Sequence, residues 1–258
     1  MSDPAKNNRV NEARPDYARG SFRTTDTTEG GLESIIISDM LASGWKRGSS
    51  RDYDVEYCVD LPKLTEFLHA TQPEIAVELK LDTDNPARRA FLARLEKEIG
   101  SRGVIDVIRK GIQHQKHSID LFYGTPSAGN QRAEKLYACN LFSVTNQLHY
   151  SLDDSARSLD MGIFINGLPL ATFELKNSLT KQTVDDAVAQ YRDERARNPR
   201  ERIFVFGRCV VHFAVDDQQV KMCTHVKGKS SWFLPFNQGW SDGAGNPPNP
   251  NGLMTDYL

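Results

Sequence analysis

The chain has 258 residues, 39% hydrophobic and 26% charged, with a formal net charge of −2 and a pI of about 6.3. That is ordinary soluble composition and enough sequence for a real core, in one domain or two small ones. No run of about 18 apolar residues occurs, so no membrane span is expected. The charge argues against a protein that grips DNA alone, which usually carries a strong basic excess; phosphate contacts are expected mainly from other modules.

Residues 1–30 are polar, rich in turn formers and without periodicity, and read as a flexible tail. They lack the apolar stretch of a secretory leader, so the expected location is cytoplasmic. A helix then starts near Gly31, with Leu32, Ile35, Ile36 and Met40 at helical spacing and Gly44 as its stop. Residues 53–59 suit a short strand, and 61–70 a helix with Pro62 in its first turn. Asn85-Pro86 is an N-cap followed by proline at the first helical position. It opens a helix over 87–99 that sets Phe91, Leu92, Leu95 and Ile99 on one face. A helix over 104–113, a strand over 118–123 and a loop over 125–134 follow. The character then turns to strands, over 141–150, 161–165 and 168–176, with Asn166-Gly167 as a hairpin signal between the last two. A helix over 184–197 leads to strands over 203–206, 210–215 and 221–225. Residues 237–258, with Gly-Ala-Gly-Asn-Pro-Pro-Asn-Pro-Asn-Gly at 243–252, read as a linker. This order argues for a mixed α/β fold around a small mixed sheet. The widely spaced Cys58, Cys139, Cys209 and Cys223 form no C-x-x-C pair and read as reduced.

The chemistry concentrates in the hairpin over 159–177. Asp160 stands where the first apolar strand begins; Glu174 and Lys176 stand where the second ends. Side chains alternate along a strand, so Glu174 and Lys176 share a face while Leu175 points into the core. Charges at the ends of apolar strands are costly unless paired or bound to metal. Two carboxylates there suit Mg²⁺, and a lysine beside them can orient the attacking water and offset charge on a phosphate. Register tests this idea. A strict two-residue turn would set Asp160 opposite Phe173, with Glu174 on the other face. The carboxylates converge only across a three-residue loop or a bulge, and Gly167 and Pro169 make one plausible, so one is expected.

Asp, an apolar hairpin and Glu-x-Lys together resemble the PD-(D/E)xK nuclease signature. More narrowly, LDMGIFINGLPLATFELKN is similar to the corresponding segment of type I restriction enzyme R subunits (HsdR). The resemblance extends to GLESIIISDMLASGW, AVAQYRDERA, RCVVHFAVDD, FLPFNQG and GAGNPPNPNG, and so covers about residues 30–258. It implies a PD-(D/E)xK fold over 31–236, with extra N-terminal helices, that cleaves DNA with Mg²⁺. It implies Asp160, Glu174, the Leu175 backbone carbonyl and Glu33 as metal ligands, Lys176 as the catalytic lysine, and Gln190 as a further catalytic residue. A related Gln-x-x-x-Tyr pattern is not met, since Glu194 stands four residues after Gln190 and the tyrosine is Tyr191. The implied partners are double-stranded DNA and the methyltransferase and specificity subunits of a restriction complex. Complete R subunits carry an ATPase motor after this domain. No P-loop occurs here, so ATP is expected to serve only the complete subunit; the sequence stops where that motor would begin, as in a cut-down or truncated form.

Arg192, Arg195 and Lys227 are candidate phosphate contacts. The two arginines suit equally a charged helix face paired with Asp185, Asp186 and Glu194, and Lys227, with Lys229, suits a solvated loop. A second Glu-x-Lys, Glu78-Leu79-Lys80, has no hairpin before it and reads as surface. His114 and His117 lack a third ligand, and His212 reads as a satisfied core residue. The alternative function is a non-cleaving docking module that fastens the motor subunit to the methyltransferase core.

Overall fold

A computed structural model describes residues 29–177, 180–195 and 201–237. The expected tail and linker therefore fall outside the described residues, except where helix α1 (Glu29–Ala42) takes in the tail's last two residues and Asn237 anchors the linker's first. Helix α1 buries Leu32, Ile36, Ile37 and Met40; Ile37 replaces the expected Ile35 in the stripe. After it, β1 (Lys46–Arg47) is a short edge strand. The strand expected over 53–59 is instead a small hairpin, β2 (Tyr53–Asp54) against β3 (Val59–Asp60).

Four helices then build a lobe: α2 (Leu61–Thr71), α3 (Pro73–Leu79), α4 (Pro86–Arg102) and α5 (Val104–Lys110). Asp60 caps α2 by accepting from the Lys63 N–H, and Asn85 caps α4 by accepting from Ala87 and Arg88. The α4 stripe of Phe91, Leu92, Leu95 and Ile99 is buried as its spacing predicts. Gly111 ends α5 at Lys110, three residues before the expected end, and the chain turns into a hairpin of β4 (Ile112–His114) and β5 (His117–Ile119). Helix α6 (Gln131–Ala138), partly within the expected loop, buries none of its residues.

The remaining strands, β6 (Phe142–His149), β7 (Ser158–Ile165), β8 (Leu168–Leu175), β9 (Val211–Val215), β10 (Val220–Cys223) and β11 (Leu234–Pro235), join β1 in a seven-stranded mixed sheet of order β1-β6-β7-β8-β9-β10-β11. β1 runs parallel to β6 and β8 parallel to β9, and the other neighbours are antiparallel. Residues 203–206, expected as a strand, form a 3₁₀ turn over Arg202–Phe204. Ile203 and Phe204 are both buried there, whereas alternation would expose one of them.

Helix α1 covers one sheet face, packing on Met161, Ile163, Phe173, Leu175, Phe213 and Val215. Helix α7 (Val184–Gln190) covers the other with Val184, Ala187 and Val188, against Leu148, Tyr150, Phe164 and Ala214. The lobe has its own core, which takes in Leu168 at the start of β8. Among the described residues no helix is long and apolar enough to cross a membrane. All four cysteines are free thiols.

Candidate active site

The β7–β8 hairpin settles the register question. Ile165 pairs with Leu168 around a tight Asn166-Gly167 turn, and both turn residues have positive φ (50° and 82°). Phe164 pairs with Pro169 but Ile163 with Ala171, so Leu170 is an extra residue. Pro169, which cannot donate to the ladder, sits beside this bulge. Below it Met161 faces Phe173, and one further step sets Asp160 across from Glu174. The expected bulge is present and the two carboxylates share a face.

Their surroundings differ. Asp160 is half-buried and its Oδ2 accepts from the Leu175 backbone N–H at 2.7 Å. Leu175, whose carbonyl is the implied further ligand, is thereby tied to the aspartate. Glu174 is fully buried: Oε1 accepts from Arg195 Nε at 2.6 Å, while Oε2 has no hydrogen-bond partner among the described residues. Burial, and then the negative charge of Asp160, pushes the Glu174 carboxyl up to about 8, against the opposing charges of Arg195 and Lys176. Lys176 is 8% exposed and close enough to Glu174 for its charge to count.

Helix α7 ends in a π-helical turn over Tyr191–Arg195, the first part of what the sequence predicts as continuous helix to 197; residues 196–200 lie outside the described residues. Such turns recur at functional sites. Tyr191 is fully buried and its hydroxyl lies 2.9 Å from Thr172 Oγ1, which in turn lies 2.7 Å from His212 Nδ1. His212 is thus a satisfied core residue, as expected, and burial pushes it down to about 3. Gln190 precedes this turn; its Oε1 is buried with no hydrogen-bond partner among the described residues.

Other candidates are placed differently. Arg195 is buried, bonded to Glu174 and, through Nη1, to the Tyr150 hydroxyl at 3.0 Å, so it is not on a face open to phosphate. Nor does it pair with Asp185, Asp186 or Glu194. Arg192 is half-buried and donates to the Ser231 carbonyl through Nε and Nη2. Lys227 and Lys229 are exposed. Glu33 reaches the end of β6, where its two oxygens accept from Asn146 Nδ2 at 2.9 Å and Gln147 Nε2 at 2.8 Å. Among the described residues no three His, Cys, Asp or Glu side chains converge as a metal site, so Glu33 does not join Asp160 and Glu174 in one. The second Glu-x-Lys is at the end of α3, with Glu78 and Lys80 exposed. His117 bonds Glu78 at 2.8 Å and His114 packs edge-on to Phe91.

Sequence reasoning missed the Arg195–Glu174–Tyr150 cluster. Its signal was available in the spacing: Val184, Ala187, Val188, Tyr191 and Arg195 continue a single buried stripe, and the last member is an arginine.

The family model of the type I restriction enzyme R protein N terminus matches residues 26–231, a range that contains every candidate site residue placed above. No curated protein matches the chain.

Proposed function

This chain belongs to the family of type I restriction enzyme R protein N termini, and on that premise we propose that it is a Mg²⁺-dependent nuclease domain that hydrolyses phosphodiester bonds of double-stranded DNA. The observation that carries the reading is the bulged hairpin, which puts Asp160 and the buried Glu174 opposite each other, with Glu174 Oε2 lacking a hydrogen-bond partner among the described residues. A buried carboxylate oxygen without a donor is costly. The donor set of two carboxylates and the Leu175 carbonyl is hard oxygen throughout and incomplete by itself. That fits an ion that keeps several waters and takes one or two carboxylates plus substrate phosphate.

When bound, Mg²⁺ supplies activation of the attacking water and charge neutralisation at the phosphate. Asp160, fixed by the Leu175 N–H, and Glu174, fixed by Arg195, would hold the ion. Lys176, at the end of β8, orients the water and offsets the negative charge that builds on the phosphate. Sequence choice falls to the specificity and methyltransferase subunits of the complex.

The test is Lys176→Ala in the enzyme assembled with those subunits. Cleavage should fall by about 10²-fold or more, while Mn²⁺ binding by the chain and its circular dichroism stay native. Asp160→Asn should lose both binding and cleavage. Normal cleavage by Lys176→Ala would sink this reading and favour a docking module.

A further inference from the structure

The two oxygens of Glu174 live in different environments. Oε1 is held by Arg195 Nε at 2.6 Å, whereas Oε2 is buried and has no hydrogen-bond partner among the described residues. The arginine is itself fixed: Nη1 donates to the Tyr150 hydroxyl, and the guanidinium carbon lies 5.5 Å from the centre of the Tyr150 ring, a cation–π contact. Its backbone belongs to the π-helical turn, whose first two residues are pinned to the rest of the fold. Tyr191 bonds Thr172 on β8, and Arg192 bonds the Ser231 carbonyl. A guanidinium is suited to this because its nitrogens form a rigid fork, so one arm can serve a carboxylate while another serves a phenol.

We propose that Arg195 is a positioning residue for the divalent cation: by holding Glu174 Oε1 it fixes the carboxylate so that Oε2 alone is presented to the metal beside Asp160. This rests on the nuclease reading above. It differs from a plain core ion pair, in which the arginine would only balance a buried charge and the metal affinity of the folded protein would not depend on it. It differs also from a competitor that occupies the metal's place, whose removal would tighten binding.

The test is titration of MnCl₂ into the 258-residue chain by calorimetry. The variants are Arg195→Met, Arg195→Lys, Tyr150→Phe and Glu174→Gln, each checked by circular dichroism and thermal melting. Partners that orient a metal ligand typically contribute about 10–100-fold in affinity. Arg195→Met should therefore bind Mn²⁺ about 10–100-fold more weakly while still folded. Arg195→Lys should recover part of the loss, and Tyr150→Phe should lose less than Arg195→Met, because its arginine still reaches Glu174. Native or tighter binding by Arg195→Met overturns the proposal even if its melting temperature drops. If Arg195→Met does not fold, native affinity in both Arg195→Lys and Tyr150→Phe overturns it. The nuclease reading fails separately, and takes this proposal with it, if the native chain binds no Mn²⁺ or Glu174→Gln binds as well as native.

Discussion

Glu174 has an ordinary carboxyl value of 4.5 that the fold pushes up to about 8, by burial first and by the charge of Asp160 second. Between those values the folded protein holds a proton that the unfolded chain has released. The contribution is therefore complete below pH 4.5 and is lost as pH rises through about 8. This is the reverse of a salt-bridged aspartate. His212 runs the other way: burial pushes it from 6.5 to about 3, so its contribution is present above 6.5 and is lost as pH falls through about 3. The expected outcome is that metal-free native protein loses stability relative to Glu174→Gln between about pH 5 and about pH 8, no more steeply than the one-proton limit of about 1.4 kcal/mol per pH unit. Urea unfolding of the pair at several pH values reads this, since the titrations of His212 and of Asp60, which burial pushes up to about 6, are common to both proteins. A flat difference would mean that Arg195 keeps Glu174 ionised throughout.

The β7–β8 hairpin is the element that makes the site, and its turn does a second job. Asn166 is fully buried, donating to the Leu121 carbonyl and to Asn140 Oδ1 while accepting from the Leu141 N–H. The Gly167 carbonyl accepts from the Asp60 N–H at 2.8 Å. The turn is therefore the seat on which the helical lobe rests. A Cβ at Gly167 would lie 2.4 Å from the Asp60 carbonyl and 2.7 Å from the Leu64 nitrogen, on a backbone with φ of 82°. Gly167→Ala should cost about 1–3 kcal/mol from backbone strain and a comparable amount from overpacking, seen as a lower urea midpoint; a loss under about 0.5 kcal/mol would show that the lobe shifts freely. The hairpin was legible because Asn-Gly fixes the turn, and the bulge was legible because two carboxylates read as ligands of one ion must share a face. Arg195 was not, because arginine among Asp193, Glu194 and Arg192 looks like a solvated helix face until the stripe from Val184 is counted through. Helix α6 buries nothing, so it has no apolar stripe to read, and α3 buries only Ala76 and Leu79 in seven residues. Residues 203–206 show that a short apolar run carries no period by which to tell a strand from a tight turn.

Among the described residues many cations pair with the protein's own acids. In the lobe Arg88 and Arg89 pair with Asp84, Arg94 and Arg102 with Glu98, Lys110 with Asp106, and Arg208 with Glu96. On the sheet side Arg157 pairs with Glu201 and Arg195 with Glu174. Lys227 and Lys229 are exposed on one loop, and Lys46, Arg47, Arg51, Lys97, Arg109, Arg132, Lys135 and Lys181 are exposed elsewhere. With a net charge of −2, long-range attraction of the chain to a DNA duplex is weak. The isolated chain should therefore bind a non-specific duplex no more tightly than about 10⁻⁶ M at physiological salt, and with the Lys227 and Lys229 loop as its contact the slope of log K against log salt should be about −2, as for roughly two phosphate contacts. Fluorescence anisotropy over a salt series measures both quantities, and replacing Lys227 and Lys229 together by Ala should flatten the slope. Submicromolar binding with a steep slope would locate the phosphate contacts within this chain, and it would then act on DNA without partner subunits. A weak, shallow dependence would fit the proposed reading, in which partners bring DNA to the hairpin and Asp160, Glu174 and Lys176 have only to hold the metal and cut.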